Sequence, residues 1–146
     1  MTSAADSGTW DVNAFNAKVI EEFRANGGEV RSLPATTRLL LLTTTGARSG
    51  QKRTSPLGYL VAEERYYING AVRGAPKHPA WYYNLVAHPD VTIEIGSDAF
   101  EATARVLQGD ERLRIWNRFV ARLSDLATWQ SMAQRAMPII ELTRQR

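Results

Sequence analysis

The feature that most constrains the fold is a series of short strand-like segments joined by tight turns, with few helices between them. The first, Arg38 to Thr45, has four leucines followed by three β-branched threonines and predicts a buried strand. Further strand-like segments lie at residues 52–61, 65–69, 91–95, 100–106 and 139–143. We expect the first three segments to pair consecutively and antiparallel, and the turn at Gly96–Asp98 to close a second hairpin.

Helical patterns lie before, between and after these strands. One begins near Asp11, a second runs from Pro79 through Ala87, and two more start near residues 109 and 124. The third helix is expected to bury the apolar residues Leu113, Trp116, Phe119, Val120 and Leu123. This order predicts an α+β fold with a mostly antiparallel sheet of six to seven strands and flanking helices, and it favours a small barrel over a doubly wound sheet.

Length and composition narrow the functional classes. The 146 residues fit a single domain spanning 1–146, with residues 1–9 expected to form a disordered tail. The absence of cysteine excludes thiolate nucleophiles and iron–sulfur clusters, and only His78 and His88 are present, so we expect no metal site. A net charge of +3 is too low to indicate nucleic-acid binding by itself.

No targeting or membrane segment is evident in the sequence. Residues Met1 to Gly8 are small and polar, which indicates neither a signal peptide nor a transit peptide. The longest apolar run, Leu39–Leu42, is far too short to span a bilayer. We therefore expect a cytoplasmic protein, with peripheral membrane contact and the oligomeric state left open.

Two basic loops containing glycine are the strongest functional signal in the residues themselves. One runs from Gly46 to Arg53, and the other runs from Arg73 to His78 directly into the second helix. Backbone amides, a helix N-terminus and cationic side chains together favour phosphate or carboxylate groups. Basic turns are also common on protein surfaces, so the residues alone leave open that both loops are ordinary solvated turns.

These loops carry a resemblance to a known family. Residues 41–51 (Leu-Leu-Thr-Thr-Thr-Gly-Ala-Arg-Ser-Gly-Gln) and 74–85 (Gly-Ala-Pro-Lys-His-Pro-Ala-Trp-Tyr-Tyr-Asn-Leu) resemble the two signatures of the deazaflavin (F420)-dependent nitroreductase family, the class A F420-dependent oxidoreductases. The resemblance implies a split β-barrel of the FMN-binding-like kind that binds coenzyme F420, an 8-hydroxy-5-deazaflavin. It also implies hydride transfer from the reduced cofactor to a hydrophobic conjugated acceptor: an activated alkene, a quinone or a nitroaromatic compound.

The resemblance also assigns residues to the cofactor, whose phosphate and glutamate tail match the charge of the loops. The tail and phosphate would be lined by Arg48, Ser49, Gly50, Gln51, Lys52 and Arg53. The ring system would lie along Pro56, Leu57, Asn69, Gly70 and Ala71. The second side would be closed by Gly74, Ala75, Pro76 and Lys77, with Trp81 packed near the pocket. No side chain is expected to be catalytic, because such a cofactor carries the hydride itself.

The chain departs from the family pattern on the acceptor side. It has Gly70-Ala71-Val72 where many relatives have an Ala-Ser-Lys type of segment, and Gly58 where some have an aromatic residue. Leu123, Leu126 and Trp129 stand where nitroreductase-active members carry tyrosines. The resemblance thus implies a roomier, apolar acceptor pocket that includes Gly58, Leu126 and Trp129.

Two alternatives to an F420-dependent reductase remain open. An FMN-dependent oxidoreductase on a related barrel would use the same basic loops for its single phosphate. A non-catalytic protein that carries F420 would bind the cofactor without turnover. In each reading the partner is a small molecule rather than a nucleic acid.

Overall fold

The computed structural model describes residues 2–3, 5–6, 12–34, 37–71, 77–133 and 135–145. Its helices are α1 (Val12–Ala25), α2 (Ala80–Ala87), α3 (Gly109–Arg122) and α4 (Asp125–Ala133). Its strands are β1 (Thr2–Ser3), β2 (Ala5–Asp6), β3 (Leu39–Thr45), β4 (Lys52–Gly58), β5 (Leu60–Ala62), β6 (Arg65–Asn69), β7 (Asp90–Ile95), β8 (Asp98–Val106) and β9 (Ile139–Arg144). Among the described residues, no helix has the length and apolar character needed to cross a membrane.

The two short N-terminal strands pair only with each other, through Thr2 with Asp6 and Ser3 with Ala5. The remaining residues among the first ten lie outside the described residues. The disorder expected for residues 1–9 therefore stays a prediction, as does the expectation of a single domain.

Seven strands form one curled antiparallel sheet in the order β4-β3-β7-β8-β9-β6-β5. The two edge strands, β4 and β5, are separated in sequence by Tyr59 alone. Because one residue cannot span the width of a flat sheet, the sheet must curl until its edges approach each other at Tyr59. The resulting half-barrel with four helices confirms the predicted α+β class and the antiparallel sheet.

Both pairings predicted for the first three strand segments are present, but the middle segment is divided into two strands. Residues 52–61 form two strands, of which β4 pairs with β3 and β5 pairs with β6, at opposite edges of the sheet. Pro56 lies within β4 opposite Leu41 and cannot donate a backbone hydrogen bond to a second neighbour. An edge position satisfies this restriction, which explains why β4 and β6 do not pair.

The core consists of two clusters on either side of the sheet strands. One packs Trp81 and Leu85 of α2 against residues such as Leu40, Ile93 and Ile140. The other packs α3 and α4 against the sheet through the residues Ile115, Phe119, Leu126, Tyr67, Leu107 and Ile139.

The predicted buried face of α3 is partly wrong. Ile115 and Phe119 are buried, whereas Leu113 and Leu123 are 51% and 45% exposed. Residues four apart lie on one helix face, and the sheet takes the face that carries Ile115 and Phe119. Trp116 and Val120 lie at the border of this contact and are partly buried.

Helix α1 is fastened to the sheet at its C-terminal end. Arg24 donates from Nε and Nη2 to the two carboxylate oxygens of Glu94 in β7, at 3.0 and 2.8 Å. Just beyond the helix, Gly28 has a φ of +96°, and a Cβ at this position would lie 2.5 Å from the Cα of Gly96. This close approach requires glycine and sets the position of the helix whose other residues border the cavity described below.

Candidate functional site

Two cavities share strand β4. The first has a volume of about 1260 Å³ and lies between α1, the loop after β3, the first half of β4 and the start of α2. The second has a volume of about 640 Å³ and lies between the second half of β4, the end of β6, α3 and α4. Lys52 to Ser55 line the first cavity and Pro56 to Gly58 line the second, so the strand forms a continuous wall of both.

The loop between β3 and β4 is a tight turn closed by its own backbone. The Gly46 N–H donates to the Gln51 carbonyl at 2.8 Å, and the Gly50 N–H donates to the Gly46 carbonyl at 3.0 Å. The Gln51 N–H donates to Ser49 Oγ at 3.1 Å. Gly50 has a φ of +71°, and a Cβ on Gly46 would lie 2.4 Å from Ser49 Oγ. The positive φ favours glycine at position 50, and a Cβ at position 46 would displace the Ser49 hydroxyl that accepts from the Gln51 N–H.

Asn84 of α2 holds this loop against the helix. Its Oδ1 accepts from the Ala47 N–H at 3.0 Å, and its Nδ2 donates to Oγ1 of the buried Thr44 at 3.1 Å. One side chain thus joins the end of β3 and the loop after it to α2. Sequence analysis gave Asn84 no role, although an asparagine within a short helix is unfavourable for helix formation and indicates a separate function.

Three cations line the first cavity, and no carboxylate among the described residues pairs with them. Arg48, Lys52 and Arg53 line it, and none of the lining residues is an aspartate or glutamate. In the described part of the chain, none of these three cations lies within ion-pair distance of a carboxylate. Lys52 Nζ donates to Thr45 Oγ1 at 2.8 Å, and Arg53 Nη2 to Gln51 Oε1 at 3.3 Å. Such a set of donors fits an anionic group such as a phosphate or carboxylate.

The second cavity has both apolar and polar walls. Leu57, Phe119, Leu126 and Trp129 contribute hydrophobic side chains, and Gly58 leaves its side of the cavity open. Asn69 lies at the same cavity and orients its amide by accepting the Ala71 N–H at Oδ1, at 3.2 Å. Flat, conjugated ring systems fit walls of this kind, because aromatic and aliphatic faces gain most from contact with planar apolar surface.

The structure brings most of the sequence-predicted residues to these two cavities. Those at the first cavity are Arg48, Ser49, Lys52, Arg53 and Trp81. Those at the second are Pro56, Leu57, Gly58, Asn69, Ala71, Leu126 and Trp129. Neither cavity is lined by Gly50, Gln51, Gly70 or Lys77. Gly74, Ala75 and Pro76 lie outside the described residues.

Several cavity residues carry no local signal in the sequence. Helix α1 contributes Asn13, Asn16, Ala17 and Ile20 to the first cavity, and the second cavity includes Arg38, Tyr59, Phe119 and Arg122. These residues come from distant segments. Only the docking of α1 and α3 on the sheet identifies them as part of a site.

Arg135 links the residues that directly follow β6 to His78, which lies just before α2. Its Nη2 donates to the carbonyls of Gly70 and Ala71 at 3.0 and 3.3 Å, and its Nη1 lies 2.9 Å from His78 Nδ1. His78 does not cap α2, because Pro79 occupies the N-cap position and makes no side-chain cap. Burial and the neighbouring Arg135 charge lower the pKa of His78 below its ordinary value, so the ring is neutral near pH 7 and Nδ1 accepts from Arg135.

Comparison with known proteins identifies relatives over most of the chain. Residues 16–144 match the family model for F420H(2)-dependent quinone reductase. An F420H(2)-dependent quinone reductase of Mycobacterium tuberculosis (strain ATCC 25618 / H37Rv) is 35% identical over 126 residues, which is 84% of this chain and 85% of that protein.

Two solved structures are also similar. One, described as an F420-H2 dependent reductase (FDR-A), has 36% identity and a TM-score of 0.66, and the match covers 72% of this chain and 93% of that one. The other, described as a domain-swapped dimer, has 30% identity and a TM-score of 0.68, and the match covers 90% of this chain and 99% of that one.

Proposed function

Since the chain belongs to the F420H(2)-dependent quinone reductase family and is thereby an F420H2-dependent oxidoreductase, we propose that it reduces a quinone-type acceptor in its two joined cavities. The observation that carries the proposal is the change of character along β4. The strand passes from a cavity lined by three cations, none of them within ion-pair distance of a carboxylate among the described residues, to a cavity in which Leu57, Phe119, Leu126 and Trp129 provide hydrophobic walls. An elongated ligand with an anionic tail and a flat ring system matches this order.

The dimensions of the site support the same ligand. Seven residues of strand extend roughly 20 Å, which accommodates an elongated molecule but exceeds a single ring system. We place the phosphate and glutamate tail of F420 at Arg48, Ser49, Lys52 and Arg53, and the ring system along Pro56, Leu57 and Ala71. The adjoining surface of Leu126 and Trp129 is left for the acceptor. In this arrangement the curled sheet serves as a split β-barrel of the FMN-binding-like kind.

Reduction of a quinone to a hydroquinone requires a hydride and a proton, and bound F420H2 supplies both in being oxidised to F420. The residues of this chain would bind and orient the cofactor and the acceptor. The cations hold the tail, Asn84 fixes the loop that carries Arg48, and the apolar walls keep water from the reacting rings. Activated alkenes and nitroaromatic compounds present similar planar surfaces, and we include them as further candidate acceptors.

The proposal is tested by titrating the purified protein with oxidised F420 and, in parallel, with FMN, and then supplying F420H2 with a quinone. We expect tight binding of F420 alone, followed by quinone-dependent oxidation of F420H2. Preferential binding of FMN would assign the protein to the flavin-dependent alternative. Binding of F420 without turnover of any acceptor would leave a cofactor carrier, and binding of neither would contradict the proposal.

Replacing Arg48 or Lys52 with alanine is expected to weaken F420 binding roughly tenfold each, because a hydrogen bond to a charged group contributes about 1.5–3 kcal/mol. The loss should shrink as salt is added, since salt screens exposed charges. Lys18→Ala is the matched control, because Lys18 is an exposed cation of α1 that lines neither cavity. Equal affinities in all three variants would place the tail elsewhere.

Replacing Trp129 with alanine is expected to change the ranking of quinone acceptors while F420 affinity stays within about twofold of the wild type. The side chain lines the second cavity but not the first, so its removal enlarges only the space that we assign to the acceptor. The measurement is kcat/KM for a small and a bulky quinone, together with the dissociation constant of F420. A large loss of cofactor affinity would show that the cofactor ring, rather than the acceptor, contacts Trp129.

A further inference from the structure

We infer that Arg38 and Arg122 make this enzyme selective for acceptors that carry a negative charge beside the conjugated ring. The inference rests on the proposed function, because it concerns the acceptor side of the same site. Both arginines line the second cavity together with its apolar walls. An acceptor that satisfies both features has a planar apolar body and an acidic substituent, such as a carboxylate, a sulfonate or an ionised hydroxyl group on a quinone ring.

Among the described residues, no carboxylate balances the positive charge of this cavity. No aspartate or glutamate is among its lining residues. Across the described residues, neither Arg38 nor Arg122 lies within ion-pair distance of a carboxylate. Guanidinium groups stay charged at all relevant pH values, so the cavity keeps two positive charges beside its apolar surface.

Six arginines outside the two cavities are paired with carboxylates, whereas Arg112 and Arg118 form no ion pair among the described residues. Ion pairs with aspartate or glutamate are formed by Arg24, Arg31, Arg65, Arg105, Arg114 and Arg144. Among the described residues, these carboxylates neutralise cations outside the cavities, and none of them lines either cavity. An anionic ligand would supply the missing counter-charge at Arg38 and Arg122.

The position of the two arginines favours the acceptor over the cofactor tail. The tail already has Arg48, Lys52 and Arg53 in the first cavity, and Thr54 and Ser55 of β4 separate that group from the second cavity. Arg122 belongs to the last turn of α3, and this helix and α4 supply the hydrophobic side chains that we assign to the acceptor wall. A cation there also stabilises the negative charge that develops on a quinone oxygen as it accepts a hydride.

The test compares 1,4-naphthoquinone with its 2-sulfonate, which is anionic at every usable pH. The quantity measured is the ratio of kcat/KM for the sulfonate to kcat/KM for the parent quinone, in the wild type and in the variants Arg38→Ala, Arg122→Ala and Arg118→Ala. Comparing one ratio between variants removes the intrinsic difference in reduction potential between the two quinones. Arg118 is an exposed arginine of the same helix that does not line the cavity, so it is the matched control.

We expect the ratio to fall roughly fivefold in Arg38→Ala and in Arg122→Ala, as for the loss of one exposed charge pair, and to stay unchanged in Arg118→Ala. The falls should disappear at high salt. Unchanged ratios in all variants would overturn the inference. A loss of F420 affinity in Arg122→Ala with an unchanged ratio would also overturn it, because the arginine would then serve the cofactor.

A second readout separates this inference from the proposed function. Calorimetric titration with naphthalene-2-sulfonate, which cannot be reduced, reports anion binding in the absence of F420. We expect binding to the wild type and to Arg118→Ala that is weakened in Arg38→Ala and Arg122→Ala. If F420 failed to bind at all, the proposed function would fail while this titration would still decide the role of the arginines. Equal binding of the sulfonate to all variants would contradict the inference.

Discussion

Replacing Glu141 with glutamine is expected to lower the free energy of unfolding by about 3 kcal/mol, a large part of the stability of a domain of this size. The Glu141 side chain is only 4% exposed. Its Oε2 accepts from Tyr67 Oη at 3.2 Å and from Arg65 Nη1 at 3.4 Å, and its Oε1 accepts from Arg105 Nη2 at 3.0 Å. Removing the charge leaves these donors facing a neutral amide inside the sheet.

The cost should lie at the lower end of the range for buried ion pairs. The side chains of Arg65 and Arg105 are 45% and 52% exposed, so water can solvate both guanidinium groups once the carboxylate is gone. Tyr67 is buried and has no such compensation. Burial, with the nearby negative charge of Glu141, raises the pKa of Tyr67, so its hydroxyl stays protonated and remains a donor.

Glu111→Gln is the matched control for this experiment. Glu111 also binds Arg105, with 2.7 Å between Glu111 Oε2 and Arg105 Nη2, but its side chain is 39% exposed. Exposed pairs contribute about 0–1 kcal/mol, so its loss should be several times smaller. Urea unfolding followed by circular dichroism measures both variants. Similar losses in Glu111→Gln and Glu141→Gln would show that burial of Glu141 is not what makes its network important.

Replacing Arg135 with alanine is expected to lower the free energy of unfolding by about 2 kcal/mol and to weaken F420 binding together with it. The change leaves the Gly70 and Ala71 carbonyls and the His78 ring without the guanidinium donor. Ala71 lines the second cavity, so loosening this segment disturbs the wall along which we place the cofactor ring.

Arg135→Lys is the informative companion variant. It keeps the positive charge but not the planar fork that reaches two carbonyls and a ring nitrogen at once. We expect it to recover only a small part of the lost stability and affinity, measured by urea unfolding and F420 titration. Full recovery in Arg135→Lys would show that the charge alone matters and that the observed hydrogen bonds do not hold the loop ends.

The same contact predicts a pH dependence. The folded state holds the pKa of His78 below its ordinary value near 6.5, because of burial and the Arg135 charge. As the pH falls through about 6.5, the unfolded chain takes up a proton on this histidine before the folded chain does, so stability falls with falling pH until the folded pKa is passed. His78→Gln should lack this part of the decline between about pH 7.5 and 5.5. An identical decline in the variant would assign it to other groups.

Much of the fold follows from local patterns in the sequence. The run of leucines and threonines in β3, the alternation in β7 and β8, and the prolines around α2 predict these elements correctly, because each pattern acts through near neighbours in the chain. The glycines at 46 and 50 mark the loop for the same reason, since its closure depends on its own backbone. The cationic side chains beside them indicate an anionic ligand before any tertiary contact is known.

The role of Glu141 could not be predicted from local patterns in the sequence. Within its strand it lies between the apolar residues Ile140 and Leu142, and nothing nearby in sequence explains a buried carboxylate there. The register places Tyr67 opposite it on β6 and Arg105 opposite it on β8, which are 74 and 36 residues away. Local patterns also do not predict that β4 and β5 lie at opposite edges of the sheet, because the pairing partners of a strand depend on the topology of the whole sheet.

The sequence by itself therefore determined the types and order of most elements, the two basic loops and, through their motifs, the resemblance to F420-dependent reductases, whereas the nitroreductase label stays a prediction. The tertiary structure decided that α1 borders the first cavity, that Arg38 and Arg122 both line the second one, and that Arg135 ties Gly70 and Ala71 to His78. The physical reason is one of range. Backbone propensity, turn geometry and side-chain periodicity act over a few residues, whereas a cavity forms where helices dock on a curled sheet and bring together side chains that no local pattern connects.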